Sequence, residues 1–351
     1  MKHFDTDYME GAHPMVMQRL LETNLEQTPG YGADDYCLQA KALVRKACGD
    51  ESVDVHFLVG GTQTNATVID ALLSRHEGVL AATTAHINVH ESGAVEASGH
   101  KVLTLPSHEG KVDAGEVRAY IDGFYADDTC GHMVAPGMLY ISYPTEYGTL
   151  YTKRELAGLH AVCRDANIAL YIDGARMGYG LASDAADLTL PELVGLCDVC
   201  YIGGTKVGAL FGECVVAHAG RLKHFFPLVK QHGALLAKGR LLGLQFATLF
   251  ADGLYLRIAR RAVELAVKLK EGFRKNGYPP HIDSFTNQQF FTLPNDVIDA
   301  LRQTATFETW GSRGDTDTTV RFVTSWATRE EDIDELLRGL SHARRSPAKR
   351  G

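Results

Sequence analysis

An excess of positive charge is the first thing missing from this 351-residue chain: 35 Lys and Arg face 43 Asp and Glu, for a formal net charge of -8. A nucleic-acid partner needs a basic face, so none is expected. Apolar runs of the roughly 20 residues that a membrane span requires are missing as well, and the opening MKHFDTDYMEGAHP is too polar for a signal peptide. The expected setting is the cytoplasm, with no membrane partner. The seven cysteines are an odd number without framework spacing, which excludes a disulfide scaffold and fits reduced thiols. Cys197 and Cys200 form one C-x-x-C, but CDVCYIGG runs directly into apolar strand sequence with no second pair and no His-x-His partner. No metal site is therefore expected. Internal repeats and low-complexity segments are absent too.

What is present is the composition of an ordinary globular protein, 45% hydrophobic and 22% charged, at a length that suggests about two domains. From residue 53 strand-like and helix-like stretches alternate: VDVHFLVG with NATVIDALLSRH, GVLAATT with ESGAVEASG, HKVLTLP with DAGEVRAYIDGFYAD, GMLYISYP with KRELAGLHAVCRDAN, then IALYID and DVCYIGG. This alternation predicts an α/β fold with a mostly parallel sheet covered on both faces. Ligands of such sheets bind at the carboxyl ends of the strands. A long helix is predicted over 251–275, where Leu254, Ile258, Ala262, Leu265, Leu269 and Phe273 recur at spacings of three and four before Asn276, Gly277, Pro279 and Pro280 end it. Beyond it, QQFFTLP and TVRFVTSW read as strands, DVIDALRQT as a helix, and Thr328 with Glu331 as a capping box opening a last helix. These make a small C-terminal α+β domain. The expected division is an N-terminal arm and first helix at 1–35, a large domain at 36–250, the connecting helix and small domain at 251–342, and a solvated basic tail at 343–351.

Four features fall at or near predicted strand ends. In LVGGTQTNAT a strand runs through Gly60, Gly61, Thr62 and Gln63 into a helix, where exposed N–H groups and the helix dipole favour phosphate. It matches neither G-x-G-x-x-G nor the Walker pattern, and a plain strand-to-helix turn reads the same way. In LYIDGARMG, Asp173 ends an apolar strand and Arg176 follows three residues on. The two could simply pair, or could divide the labour, Asp173 facing a cationic ring nitrogen and Arg176 gripping a carboxylate by its planar fork. His86 in TTAHINVHESGA is the first polar ring past another strand and is either structural or a stacking partner; HINVHE is not the H-E-x-x-H of zinc proteases. Lys206 stands in YIGGTKVGALFGE among glycines and small apolar residues, a costly place for an ammonium unless it snorkels to water or is chemically used. A phosphate turn, a carboxylate for a pyridinium, a stacking ring, an arginine for a carboxylate and a lysine able to form a Schiff base are the parts of a pyridoxal phosphate site.

DYMEGAHP, GYGADDYC, GGTQTN, AHINVHESGA, YIDGARMGYG, GGTKVGALFGE, LLAKGRLLG and VRFVTSWAT, in that order over nearly the whole chain, resemble the threonine aldolase group of the β-eliminating lyase superfamily, within the fold-type I pyridoxal phosphate enzymes. The resemblance implies that Lys206 is the Schiff-base lysine, that Asp173 keeps the pyridine nitrogen protonated, that Gly61 and Thr62 bind the phosphate, and that His86 stacks on the ring. It implies that Arg176 and Arg321 hold the substrate carboxylate, helped by Thr6 where many members carry Ser. It places a second active-site histidine at His132 and sends Lys238 or Arg240 to a neighbouring subunit's phosphate in a dimer or tetramer with shared sites. The implied reaction is retro-aldol cleavage of L-threonine or L-allo-threonine to glycine and acetaldehyde, with His86, His132 or a water as base. The rivals are β-elimination or transamination on the same cofactor, and a nucleotide-binding module without covalent chemistry.

Overall fold

The computed structural model describes residues 1–345; the expected basic tail from 346 on lies outside the described residues. The chain opens with β1 (Lys2–His3), α1 (Pro14–Glu22) and α2 (Asp35–Cys48). An alternating stretch follows: β2 (Asp54–Leu58), α3 (Gly61–Leu72), β3 (Glu77–Ala82), the short α4 (His86–Val89) and α5 (Ala94–Ala97), β4 (Val102–Leu105) and α6 (Ala114–Ala126). It continues through β5 (Ala135–Ser142), α7 (Lys153–Asp165), β6 (Ala169–Asp173), α8 (Met177–Leu181), α9 (Leu190–Val194), β7 (Val199–Gly203) and β8 (Glu213–Ala217). Next come α10 (Phe225–Gln231), α11 (Arg240–Phe250) and the long α12 (Leu254–Lys275). The last part holds β9 (Pro280–Ile282), β10 (Gln288–Pro294), α13 (Asn295–Leu301), β11 (Ala305–Thr306), β12 (Glu308–Thr309), β13 (Asp317–Val323) and α14 (Glu330–Arg345).

Seven strands form the main sheet in the order β2-β8-β7-β6-β5-β3-β4, and β8 alone runs against the others. Every residue of β7 and β8 is buried, as expected of strands with helices on both faces. The helices are fixed by side-chain caps: Asp34 accepts from Cys37 N–H (2.9 Å), Asp113 from Gly115 N–H (2.7 Å), and Thr152 with Glu155 closes a capping box on α7. The mostly parallel α/β sheet expected from the alternating sequence is the one observed.

A second sheet, β12-β13-β10-β9, is antiparallel and packs with α12, α13 and α14. Its core is aromatic: Phe273 stacks on Phe291 with centroids 4.1 Å apart, and Phe322 leans on both. The N-terminal arm is stitched into this unit, since β1 pairs in parallel with β11 and the Phe4 ring is fully buried there. That anchoring carries Asp5 to Tyr8 back toward the main sheet.

Three local expectations are corrected. The long helix starts at Leu254 rather than 251, because Asp252 (φ 51°) and Gly253 (φ 68°) adopt left-handed backbone that breaks it from α11. Together α11 and α12 are long and apolar enough, by length and composition, to cross a membrane, contrary to the sequence reading. More than half of the most apolar 18-residue window of that stretch is buried, however, as in core helices. Thr328 lies two residues before α14, and its hydroxyl accepts Ser325 N–H (2.8 Å) in the preceding turn instead of opening a capping box.

Candidate active site

The carboxyl ends of β2, β3, β5, β6 and β7 and the first residue of the reversed β8 share one edge of the sheet, and a cavity of about 610 Å³ opens there, closed from above by Gln288, Glu308, Trp310 and Arg321 of the C-terminal unit. Gly60, Gly61 and Thr62 line it at the start of α3. The first intrahelical bond is made by Thr64 N–H to Gly60 O (2.9 Å), so the N–H groups before it have no partner within the helix. A Cβ on Gly61 would stand 3.2 Å from the Tyr201 hydroxyl, which keeps this turn tight against β7.

Asp173 ends β6 as a buried carboxylate. Tyr140 Oη–H (2.6 Å), Asn65 Nδ2–H (2.9 Å) and Ala175 N–H (2.9 Å) all donate to it. Burial alone pushes its carboxyl up, but bonds from Tyr140, Tyr201 and Asn65 and the His86 charge outweigh that and hold it below the ordinary Asp value. It is an ionised carboxylate, and it does not pair with Arg176.

Asn65 ties this group to the next. Its other amide hydrogen goes to Glu91 Oε1 (2.8 Å), and its oxygen accepts from Tyr171 Oη–H (2.8 Å). Glu91 Oε1 also bonds His86 Nδ1 at 2.7 Å, so a buried carboxylate fixes the ring that faces the cavity. His90 lies beside it, 5.6 Å between centroids.

Lys206 lies in the turn after β7, and Glu213 opens β8 directly opposite Gly203. Burial, with the nearby Arg176 charge, lowers the Lys206 amine below an ordinary lysine, and burial raises the Glu213 carboxyl to about 8. Glu213 accepts Gly204 N–H (3.0 Å), and the Tyr8 ring stands 5.9 Å from Lys206 Nζ. An amine that loses its charge readily is one that can act as a nucleophile.

The two arginines are already engaged. Arg176 grips the fully buried Asp7 with Nε (2.8 Å) and Nη2 (2.9 Å), and Asn287 supports the same carboxylate (2.9 Å). Arg321 donates to Gln288 Oε1 (2.9 Å) and to Glu308, lies over the Trp310 ring at 5.3 Å, and keeps a buried Nε without a partner. Each guanidinium is thus held in place with donors to spare.

The structure brings Gly61, Thr62, His86, Asp173, Arg176, Lys206 and Arg321 to this cavity. It does not bring His132, which is exposed in a turn (Cys130–His132) before β5, whereas the cavity is at the carboxyl end of that strand. Thr6 is half-buried and does not line the cavity; its neighbours Asp7 and Tyr8 carry the contacts. Lys238 is exposed, and Arg240 donates to Thr23 O (2.5 Å) and Glu26 O (3.2 Å) at the end of α1. Sequence reasoning missed Asn65, Glu91, Tyr140, Glu146, Glu213, Glu308 and Trp310. Asn65, Glu91 and Glu213 were within reach, each lying inside a motif already singled out.

The chemistry of this donor set fits pyridoxal phosphate: free N–H groups for a phosphate, an ionised buried Asp for a ring nitrogen, an imidazole for the ring and a desolvated amine for the aldehyde. Comparison with known proteins agrees with the architecture. A family model of β-eliminating lyases matches residues 3–293. The chain is 29% identical to the low specificity L-threonine aldolase of Pseudomonas sp. (strain NCIMB 10558) across 95% of its own length and 96% of the relative's. It is similar to the solved threonine aldolase of Leishmania major, with 37% identity, a TM-score of 0.95, and 98% and 100% of the two chains covered. Similarity to the aspartate aminotransferase of Thermus thermophilus, at 15% identity, TM-score 0.68 and 95% and 89% coverage, is one of fold alone.

Proposed function

Because the chain belongs to the β-eliminating lyase family, in its threonine aldolase group, we propose that it cleaves β-hydroxy-α-amino acids such as L-threonine and L-allo-threonine between Cα and Cβ, giving glycine and an aldehyde, with pyridoxal 5'-phosphate as cofactor. The observation that carries this reading is the placement, past the ends of neighbouring strands in one cavity, of a lysine whose amine is lowered by burial and an aspartate kept ionised by its donors. Bound pyridoxal phosphate supplies an electron sink for the pair left on Cα when the bond breaks. Lys206 is the amine that would hold it, Asp173 would accept the ring N–H, His86 would stack, and Gly61, Thr62 and the start of α3 would take the phosphate. Arg176 and Arg321 would bind the substrate carboxylate with the guanidinium hydrogens that Asp7, Gln288 and Glu308 leave free. That grip orients the bond to be broken.

A cytoplasmic dimer or tetramer belongs to the same proposal. Its support is a band of exposed apolar side chains, Met15, Met17, Leu21 and Leu25 on and after α1 with Leu38 on α2. Sedimentation velocity tests the assembly.

The reaction is tested by incubating purified protein with pyridoxal phosphate and recording the visible band of the bound cofactor, with Lys206→Ala alongside. Acetaldehyde and glycine formed from L-allo-threonine by the wild type, and neither by the variant, are the expected results. Release of 2-oxobutyrate instead would assign the site to elimination. A protein that takes up no cofactor refutes the proposal.

A further inference from the structure

We propose that Glu146 is a catalytic residue, the group that accepts the proton of the substrate's β-hydroxyl. This rests on the aldol-cleavage reading above. Cleavage needs a base at that oxygen, and the sequence offered His86, His132 or a water; the exposed His132 lies at the other end of its strand from the cavity.

Glu146 sits just past the carboxyl end of β5, where Ser142 is in register with Asp173 of the adjacent strand, and it lines the cavity. Two donors converge on one of its oxygens: His86 N–H (2.9 Å) and Ser142 Oγ–H (2.6 Å) both go to Oε1. They clamp the carboxyl beside the histidine backbone and leave Oε2 for a hydroxyl of the substrate.

The other carboxylates of the cavity are committed. Asp173 receives three donors, and Glu308 is paired with Arg321. Glu91 gives Oε1 to His86 and Asn65, while its Oε2 is sealed from solvent and without a partner. Glu213 opens β8, on the far side of β7 from Asp173, and holds Gly204 N–H.

The groups facing Glu146 are its own backbone N–H, the His86 N–H from α4, Ser142 and Tyr140 from β5, Tyr151 before α7, Asp173 from β6 and the Gln288 amide from β10, which donates to the Glu146 carbonyl at 3.4 Å. No cation donates to its side chain among the described residues. Burial, with the Asp173 charge adding to it, raises the carboxyl above an ordinary Glu, which makes it a better proton acceptor near neutral pH.

In the step, the β-hydroxyl O–H bond breaks and its proton passes to Glu146. The freed oxygen pair becomes the second bond of the aldehyde C=O, and the Cα–Cβ pair stays on Cα, where bound pyridoxal phosphate would supply the electron sink. One proton is then delivered to Cα, so the proton lost at oxygen is balanced by the one gained in glycine.

The test compares wild type, Glu146→Gln and Glu146→Asp, each loaded with pyridoxal phosphate. Glutamine keeps an oxygen for His86 N–H and Ser142 but cannot take a proton. Expected are a fall in kcat of about 100-fold or more on L-allo-threonine, a KM within about threefold, an unchanged cofactor band, and unchanged glycine affinity. Exchange of the glycine α-hydrogen with solvent, which involves no hydroxyl, is expected to continue at the wild-type rate. Glu146→Asp, still ionisable, is expected to recover part of the lost kcat. Infrared difference spectra of the wild type should show a carboxyl titrating above the ordinary Glu range that Glu146→Gln lacks. A kcat within about threefold of wild type in Glu146→Gln would overturn the assignment. So would equal losses of cleavage and glycine exchange, which would make Glu146 a residue of the site's framework. A wild type that binds glycine and exchanges its α-hydrogen but releases no aldehyde sinks the aldol reading itself.

Discussion

Replacing Asp7 by Ala removes one partner of a buried ion pair, and the structure sets the size of the loss. The Asp7 side chain is fully buried and that of Arg176 is only 13% exposed. Three hydrogen bonds converge on this carboxylate, two from the Arg176 fork and one from Asn287. Removing one partner of such a pair costs about 3–5 kcal/mol, because the remaining charge keeps its desolvation cost without its counter-ion. Partial exposure of Arg176 puts the loss near the lower figure, about 3 kcal/mol. At about 2 °C per kcal/mol for a chain of this length, Tm should fall by about 6 °C. Asp7→Asn, which keeps one acceptor oxygen, should lose about half as much. Burial pushes the Asp7 carboxyl up, but the Arg176 and Lys206 charges and the hydrogen bonds from Arg176 and Asn287 together outweigh it, and the net value is below the ordinary one. A folded-state value below the unfolded one gives stability that is complete above about pH 4 and disappears as pH falls through the folded value. The Tm gap between wild type and Asp7→Ala should therefore be full from pH 5 to 7 and narrow below about pH 4. Scanning calorimetry of the cofactor-free proteins across that range measures it. A variant melting within about 1 °C of wild type at pH 7, or a gap that widens in acid, refutes the argument.

Glu213→Gln tests the opposite sign. Burial raises the Glu213 carboxyl to about 8, so the folded state loses stability as pH rises from the ordinary Glu value through 8; Tm of the variant relative to wild type should climb over that interval and level off above it, and a flat difference from pH 5 to 9 would count against the shift. Gly203→Ala tests the close approach of two strand ends, because a Cβ there would stand 2.2 Å from the Ala175 carbonyl oxygen, a backbone atom that cannot turn aside. Overpacking of this kind costs about 1–3 kcal/mol; the variant should melt lower and bind pyridoxal phosphate more weakly by fluorescence titration, and wild-type affinity would show that the turn has room.

Legibility followed distance along the chain. Gly61, His86, Asp173 and Lys206 each close an apolar run in a single short stretch, and the parallel sheet turns four strand ends into one cavity wall. CGHM stands next to a strand in sequence, and only the direction of β5 says that His132 occupies the opposite end of its own chain's sheet from the cavity. The partner of Arg176 was hidden by separation: Asp7 lies 169 residues away and arrives only because Phe4 is buried in the C-terminal unit and draws the arm across. Glu146 gave no signal, since YPTEYG has the composition of a turn and its carboxyl acquires meaning from a backbone N–H sixty residues earlier.

The carboxyl groups of the cavity show how one strand edge can serve two needs. For Asp173, Glu146 and Glu213, burial by itself pushes the carboxyl toward the neutral acid. What separates them is the number and kind of donors. Asp173 collects a tyrosine hydroxyl, an amide and a backbone N–H, with the His86 charge nearby, and ends below the ordinary Asp value. Glu146 has only neutral donors, the His86 N–H and the Ser142 hydroxyl on one oxygen and its own backbone N–H, with the Asp173 charge against it, and ends raised. Glu213 has Gly204 N–H and the Thr205 hydroxyl, and burial prevails to about 8 despite the Lys206 charge. A ring nitrogen needs a partner that stays charged throughout a turnover, whereas proton transfer needs one that changes charge easily. Donor supply at the ends of β5, β6 and β8 therefore sets a fixed charge at Asp173 and titratable ones at Glu146 and Glu213, within the same cavity.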